Sequence, residues 1–283
     1  MRYGFVASFG TTAEALTLAR ETEDHGWDGF FTWDGISLGP MDTWDPWVLL
    51  GAVAARTRRV TLGAMIFPLA RRRPWKVARE ALTVDHLSGG RLVVPVGLGV
   101  GQDGGFSRVS GEARTPRERA ERLDEALAIL DRAWTGEPFS WQGQHYAVTD
   151  LQIGPPPVQR PRIPVWVVGA WPAERSLDRA ARWGGVVLQR ARSTAPLSPA
   201  EVAEAVGRLT GLREELRAQG YPLGERFDVV VGDASPDDPA RAADLVAGYA
   251  AAGATWWVES RWDPATATPE ALLERVRRGP PVG

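Results

Sequence analysis

The chain has 283 residues and a mass of 30.8 kDa, enough for two ordinary domains or one large α/β barrel. Its 33 Lys and Arg against 35 Asp and Glu give a formal charge of -2 with the signs interspersed, which argues against a nucleic-acid footprint or a basic membrane-binding face. Cysteine is absent, excluding disulfides, thiolate nucleophiles and Cys-ligated metal, and no run approaches the roughly 20 apolar residues of a membrane span.

The N-terminal stretch MRYGFVASFG has too short an apolar run for a signal peptide, so a cytoplasmic protein with a small-molecule partner is expected. Eight β-rich runs then follow in order: RYGFVASF, GFFTW, RVTLGAMIF, RLVVPVG, IPVWVVGA, GGVVLQ, FDVVVGD and ATWWVES. Each precedes a segment of helical character, and several are apolar throughout, as parallel strands buried on both faces are. Eight β-then-α units predict a single (β/α)8 TIM barrel domain spanning 1–283, with an open doubly wound sheet as the runner-up.

The helix starts are explicit. Asp45-Pro46, Thr115-Pro116, Ser198-Pro199, Asp238-Pro239 and Thr268-Pro269 each set a capping side chain before a proline suited to the first helical position. Thr115 to Glu118 and Ser198 to Glu201 also fit capping boxes. The clearest helix runs from Pro116 to Trp134, with Leu123, Leu127, Leu130 and Trp134 on one core-facing stripe. After this fourth helix, GEPFSWQGQHYAV reads as a small hairpin insertion turning at Gln142-Gly143, and GPPPVQRPRIP is a stiff connector into the fifth strand.

Within GLGVGQDGG, Gly99 to Gly104 satisfies the G-x-G-x-x-G spacing of dinucleotide-binding folds. It follows the fourth strand rather than the first, and FSRVSGEART intervenes before any long helix. A glycine-rich loop at the C-terminal mouth of a barrel strand fits that context better than a nicotinamide fingerprint. His25, His86 and His145 lie far apart without H-x-H or H-E-x-x-H spacing, so no metal site is expected. Trp33, Trp44, Trp47 and Trp171, among 13 tryptophans, fall at strand ends or adjoining loops and suggest an aromatic, apolar pocket.

The segments FFTWD, ARRRPWKVAREALTVDHLSGGRLVVPVGLG, RAERLDEALAILDRAWTG and PVWVVGAWPAERSLDRAARWGGVVL, in this order, resemble the bacterial luciferase-like monooxygenases. The resemblance covers the chain to about Arg192. It implies a (β/α)8 barrel holding reduced FMN or the deazaflavin coenzyme F420 at the C-terminal ends of its strands. It further implies a bulge in the third strand, often with a non-prolyl cis peptide, placing Ala64, Met65 and Ile66 against the back of the ring. The cofactor phosphate is expected at Gly169, Ala170 and Trp171 and at Gln189, Arg190 and Arg192, with an ordinary surface role as the alternative for either arginine. Gln102 is expected beside the ring.

One departure stands out. Where the family pattern commonly has Asp followed by His, this chain has Asp34 followed by Gly35, which leaves Asp34 as the catalytic candidate. The implied function is an oxidoreductase acting on an organic substrate, with reduced cofactor supplied by a separate flavin or F420 reductase and a homo-oligomeric assembly. FMN would support monooxygenation and F420 hydride transfer; the sequence leaves both open. The alternatives are a catalytically impaired flavin-binding protein of the same fold and a nicotinamide-dependent dehydrogenase.

Overall fold

The computed structural model describes residues 1–39 and 41–282. In chain order the elements are β1 (Arg2–Val6), α1 (Thr12–Asp24), β2 (Gly29–Thr32), α2 (Pro46–Arg56), β3 (Thr61–Ala64), β4 (Phe67–Pro68), α3 (Pro74–Ser88), β5 (Val94–Gly97), α4 (Gly104–Ser107) and α5 (Pro116–Ala133). They continue with β6 (Phe139–Gln142), β7 (Ala147–Leu151), β8 (Val165–Trp171), α6 (Glu174–Ala181), β9 (Gly185–Arg190), α7 (Pro199–Ala218), β10 (Asp228–Asp233), α8 (Pro239–Ala251), β11 (Trp256–Glu259) and α9 (Pro269–Arg277).

Every Asp/Ser/Thr-Pro pair singled out in the sequence opens a helix. Asp45, Thr115, Ser198, Asp238 and Thr268 are N-caps of α2, α5, α7, α8 and α9, each accepting from a first-turn amide, with proline next. The box at Ser198 and Glu201 is complete. At Thr115 only half forms: its side chain accepts from the Glu118 amide, while the Glu118 carboxylate turns to Arg122 at 2.9 Å. The chain divides into two compact units.

The first unit, Met1–Phe31 with Val165–Gly283, is a parallel run ordered β2-β1-β11-β10-β9-β8. Large aromatics fill it: Phe5, Phe30, Phe31, Trp166, Trp256 and Trp257 are all buried. The Phe31 and Trp256 rings meet edge-on at 6.1 Å, and those of Trp166 and Trp256 at 5.3 Å. Room for Phe31 comes from Gly4 and Gly29, where an added Cβ would lie 2.6 and 2.8 Å from its ring.

In the second unit, Thr32–Pro164, the third strand predicted from the sequence is interrupted. β3 ends at Ala64, the Met65-Ile66 peptide is cis, and β4 resumes at Phe67, pairing in parallel with β5 through Phe67 and Val96. The Met65 amide donates to the Thr32 carbonyl at 2.8 Å. Trp47 stacks on Phe67 with ring centroids 4.3 Å apart. The predicted stripe of α5 is buried throughout, including Trp134 just past its end. Antiparallel β6 and β7 form the expected hairpin, docked on α5 because the Glu125 carboxylate accepts from the turn amides of Gln144, His145 and Tyr146.

Candidate functional site

The predicted residues fall into two groups, one in each unit and each at the C-terminal ends of parallel strands. In the second unit, the loop after β2 begins with Asp34. Its carboxylate is 1 % exposed, and both oxygens are engaged: Oδ1 accepts from Arg71 Nη2 at 2.7 Å and Oδ2 from Arg72 Nε at 2.8 Å. Arg71 also donates to the Asp34 carbonyl at 2.9 Å and to Asp103 Oδ2. Asp103 in turn accepts from the amides of Ile36, Ser37 and Gly105. Although burial opposes it, those amides and Arg71 hold the Asp103 carboxyl below the usual carboxylate range. A buried chain Arg72–Asp34–Arg71–Asp103 thus ties the loop after β2 to the loop after β5. In this structure Asp34, expected as the catalytic residue, anchors two guanidinium groups.

The glycine motif is explained in the same place. A Cβ at Gly99 would lie 2.7 Å from Pro68 Cβ and 2.8 Å from the Phe106 ring; at Gly105 it would meet Ile36 Cβ at 2.8 Å. These glycines let two loops approach closely, and Asp103, inside the motif, caps the short helix α4. Gln102 is exposed. At Gly35 a Cβ would sit 2.6 Å from Trp33 Cζ3 and 3.0 Å from Leu38 Cδ1. With the Trp33 ring in place, the position after Asp34 has no room for an imidazole or any other side chain.

In the first unit, β8 and β9 end side by side, with Ala170 opposite Gln189 and Trp171 opposite Arg190. Gly169 is close-packed: a Cβ there would lie 2.6 Å from Val186 Cγ2. The Ala170 amide donates to Ser176 Oγ at 2.9 Å, and a cis Trp171-Pro172 bond leads to α6. The N-cap of α6 is Ala173, which has no capping side chain, so the helix start presents first-turn amides uncapped by a side chain. Arg190 is held by Glu201, whose two oxygens accept from Nη1 at 2.5 Å and Nη2 at 2.6 Å. Arg192 is exposed with φ 58, and Gln189 is exposed.

Sequence reasoning missed Arg71, Arg72 and Asp103. The available signal was the run of three arginines, Arg71 to Arg73, directly after an apolar strand. Each of the three histidines has its own separate partner: His25 Nδ1 lies 2.9 Å from the Glu21 carbonyl, His86 Nε2 2.9 Å from that of Pro156, and His145 Nε2 3.3 Å from Glu121 Oε2. Among the described residues no group of three His, Cys, Asp or Glu is arranged to hold a metal ion, and no helix is long and apolar enough to cross a membrane.

Residues 1–275 match the luciferase-like monooxygenase family, and the chain belongs to it. It is 30% identical over 236 residues to the F420-dependent glucose-6-phosphate dehydrogenase of Nakamurella multipartita, covering 80% of this chain, and 32% identical over 188 residues, covering 62% of this chain, to the protein of the same name from Microbacterium testaceum. The chain spans 65% and 53% of the length of those two relatives.

Two solved structures share the fold. The coenzyme F420-dependent tetrahydromethanopterin reductase of Methanopyrus kandleri superposes with a TM-score of 0.76 at 17% identity, covering 99% of this chain and 98% of that one. The oxygenating constituent of 3,6-diketocamphane monooxygenase of Pseudomonas putida, in complex with FMN, gives 0.66 at 16% identity, covering 84% and 68%. The fold is therefore the expected α/β barrel type with a small antiparallel hairpin, and the family uses F420 or FMN.

Proposed function

We propose that this chain is an F420-dependent oxidoreductase that exchanges a hydride with an organic substrate. The observation that carries the reading is its 30% identity over 236 residues to a protein named as an F420-dependent dehydrogenase. The residues present fit an anionic cofactor. The uncapped start of α6 offers amides and the positive end of a helix, and Arg192 adds an exposed cation near the end of β9. Gln189 adds a neutral donor, and Gly169, Ala170 and Trp171 shape the approach.

Arg190 is assigned to orienting the loop through Glu201. As a separate expectation for the second unit alone, the apolar side chains of Ala64, Met65 and Ile66 at the strand break and the exposed amide of Gln102 suit a flat ring. Bound F420 supplies a ring carbon that exchanges hydride; the chain binds, orients and excludes water. Asp34 acts by fixing Arg71 and Arg72. Where hydride passes to the substrate, reduced cofactor comes from a separate reductase; where it is taken from the substrate, oxidised cofactor is the acceptor; and the working form is a cytoplasmic homo-oligomer.

The test is titration of the purified protein with F420, FMN and NADH, followed by quenching of tryptophan fluorescence. F420 alone is expected to bind, with Kd near about 1 μM, and Arg192→Ala to weaken it. Binding of FMN instead moves the reading to flavin monooxygenation. NADH binding without either returns the nicotinamide reading, and binding of none overturns all three.

A further inference from the structure

Arg119, in the first turn of α5, is 6% exposed and has no carboxylate partner among the described residues. Its Nη1 donates to the carbonyls of Leu98 at 3.3 Å and Gly99 at 3.2 Å, and its guanidinium lies 4.9 Å from the centre of the Phe106 ring. Nε is buried without a hydrogen-bond partner, and Nη2 donates to no group among the described residues. Burial pushes the Arg119 pKa down, with no opposing acid.

Two other buried arginines are met differently. Arg71, against the same ring at 5.3 Å, is met by two carboxylates. Arg213, also buried without an acid, uses both Nη groups on the carbonyls of Ala181, Trp183 and Gly224. A buried cation is retained at a cost unless a counter-charge meets it. Beside Arg119, in the loop after β5, a Cβ at Gly101 would come into van der Waals contact with Nη2 at 3.5 Å, so glycine at this position adds no side chain against that nitrogen. In the same loop Val100, next to Gly101 in sequence, is 53% exposed, and Ile36, which a Cβ at Gly105 would meet at 2.8 Å, is 55% exposed.

We propose that Arg119 binds an oxyanionic group, a carboxylate or a phosphate, carried by the organic substrate, with Ile36 and Val100 against its apolar body. Only the word substrate rests on the oxidoreductase reading; the anion site is a property of the second unit. Free anions test it without cofactor, so its failure and that of the F420 assignment are separable.

The experiment is calorimetric titration of the cofactor-free protein with inorganic phosphate and with benzoate, on wild type, Arg119→Met and Gly101→Val. Wild type is expected to bind at least one, with Kd below about 1 mM. Both variants are expected to weaken it by about tenfold or more, with F420 affinity unchanged. Phosphate preference assigns a phosphate ester and benzoate preference an aryl or alkyl acid. No binding to wild type, or equal binding to Arg119→Met, overturns the proposal. If Arg119→Met does not fold, Gly101→Val decides, since it keeps the guanidinium and covers Nη2. Loss of F420 affinity in step with anion affinity in the variants assigns the oxyanion to the cofactor and overturns the substrate assignment.

Discussion

Asp34 sits where a barrel enzyme of this class would be expected to place an acid or base, and both of its carboxylate oxygens are engaged by arginines. Two arginines, side chains 4% and 15% exposed, depend on a carboxylate that is 1% exposed. Removing the carboxylate leaves Arg71 with Asp103 and Arg72 with only the more distant Asp45 at 3.6 Å, so the about 3–5 kcal/mol cost of breaking a buried pair from one side is an upper bound. Asp34→Ala is therefore expected to lower the unfolding free energy from urea titration by up to about that amount, seen as a lower midpoint, with Asp34→Asn, which keeps one acceptor, between it and wild type. The exposed Arg208–Glu174 pair is the control: Arg208→Ala should leave the midpoint in place. Local sequence did not show this role because Arg71 and Asp103 lie 37 and 32 residues from their partners Asp34 and Arg71. Nor does spacing reveal that the Trp33 ring fills the volume above Gly35.

What is written locally was readable. Each helix start of α2, α5, α7, α8 and α9 depends on a side chain and an amide two or three residues apart, and the buried stripe of α5 on a repeat within one element. The cap of α7 carries a further consequence. Glu201 is held by Arg190 first and by the Ser198 amide and hydroxyl next, which lowers its carboxyl pKa from 4.5 to about 2. A depressed carboxylate stabilises the folded state fully above its unfolded pKa and ceases to do so as pH falls through the folded value. The Tm of wild type is thus expected to fall between about pH 4.5 and pH 2 partly through this group. Glu201→Gln should lower Tm at neutral pH and flatten that acid limb; an unchanged limb would place Glu201 outside the linkage. The same pairing, between a strand end and a helix cap 11 residues on, gives Arg190 a carboxylate partner that its position at a strand end does not announce.

At the scale of the whole chain, the order of strand-end motifs was enough to place it in its family, because a barrel-type fold presents those motifs in a fixed succession along the sequence. The division of labour among strands needed coordinates. The first unit is assembled from both ends of the chain, and β1 lies between β11 and β2, pairing Tyr3 with Trp257 and Gly4 with Gly29. The hairpin of β6 and β7 is by contrast a sheet of its own. Deleting residues 1–9 would open two strand edges lined by Phe30, Phe31, Trp256 and Trp257, an aggregation template. Replacing residues 138–150 with a short Gly-Ser linker removes β6 and most of β7, leaving those pairings intact while uncovering Ile129 of α5 and Trp75 of α3. The expected outcome is loss of soluble protein for the first deletion and a folded protein with a native-like circular dichroism spectrum for the second. Soluble, cooperatively unfolding protein lacking residues 1–9 would show that β11 and β2 do not depend on β1 to close the sheet.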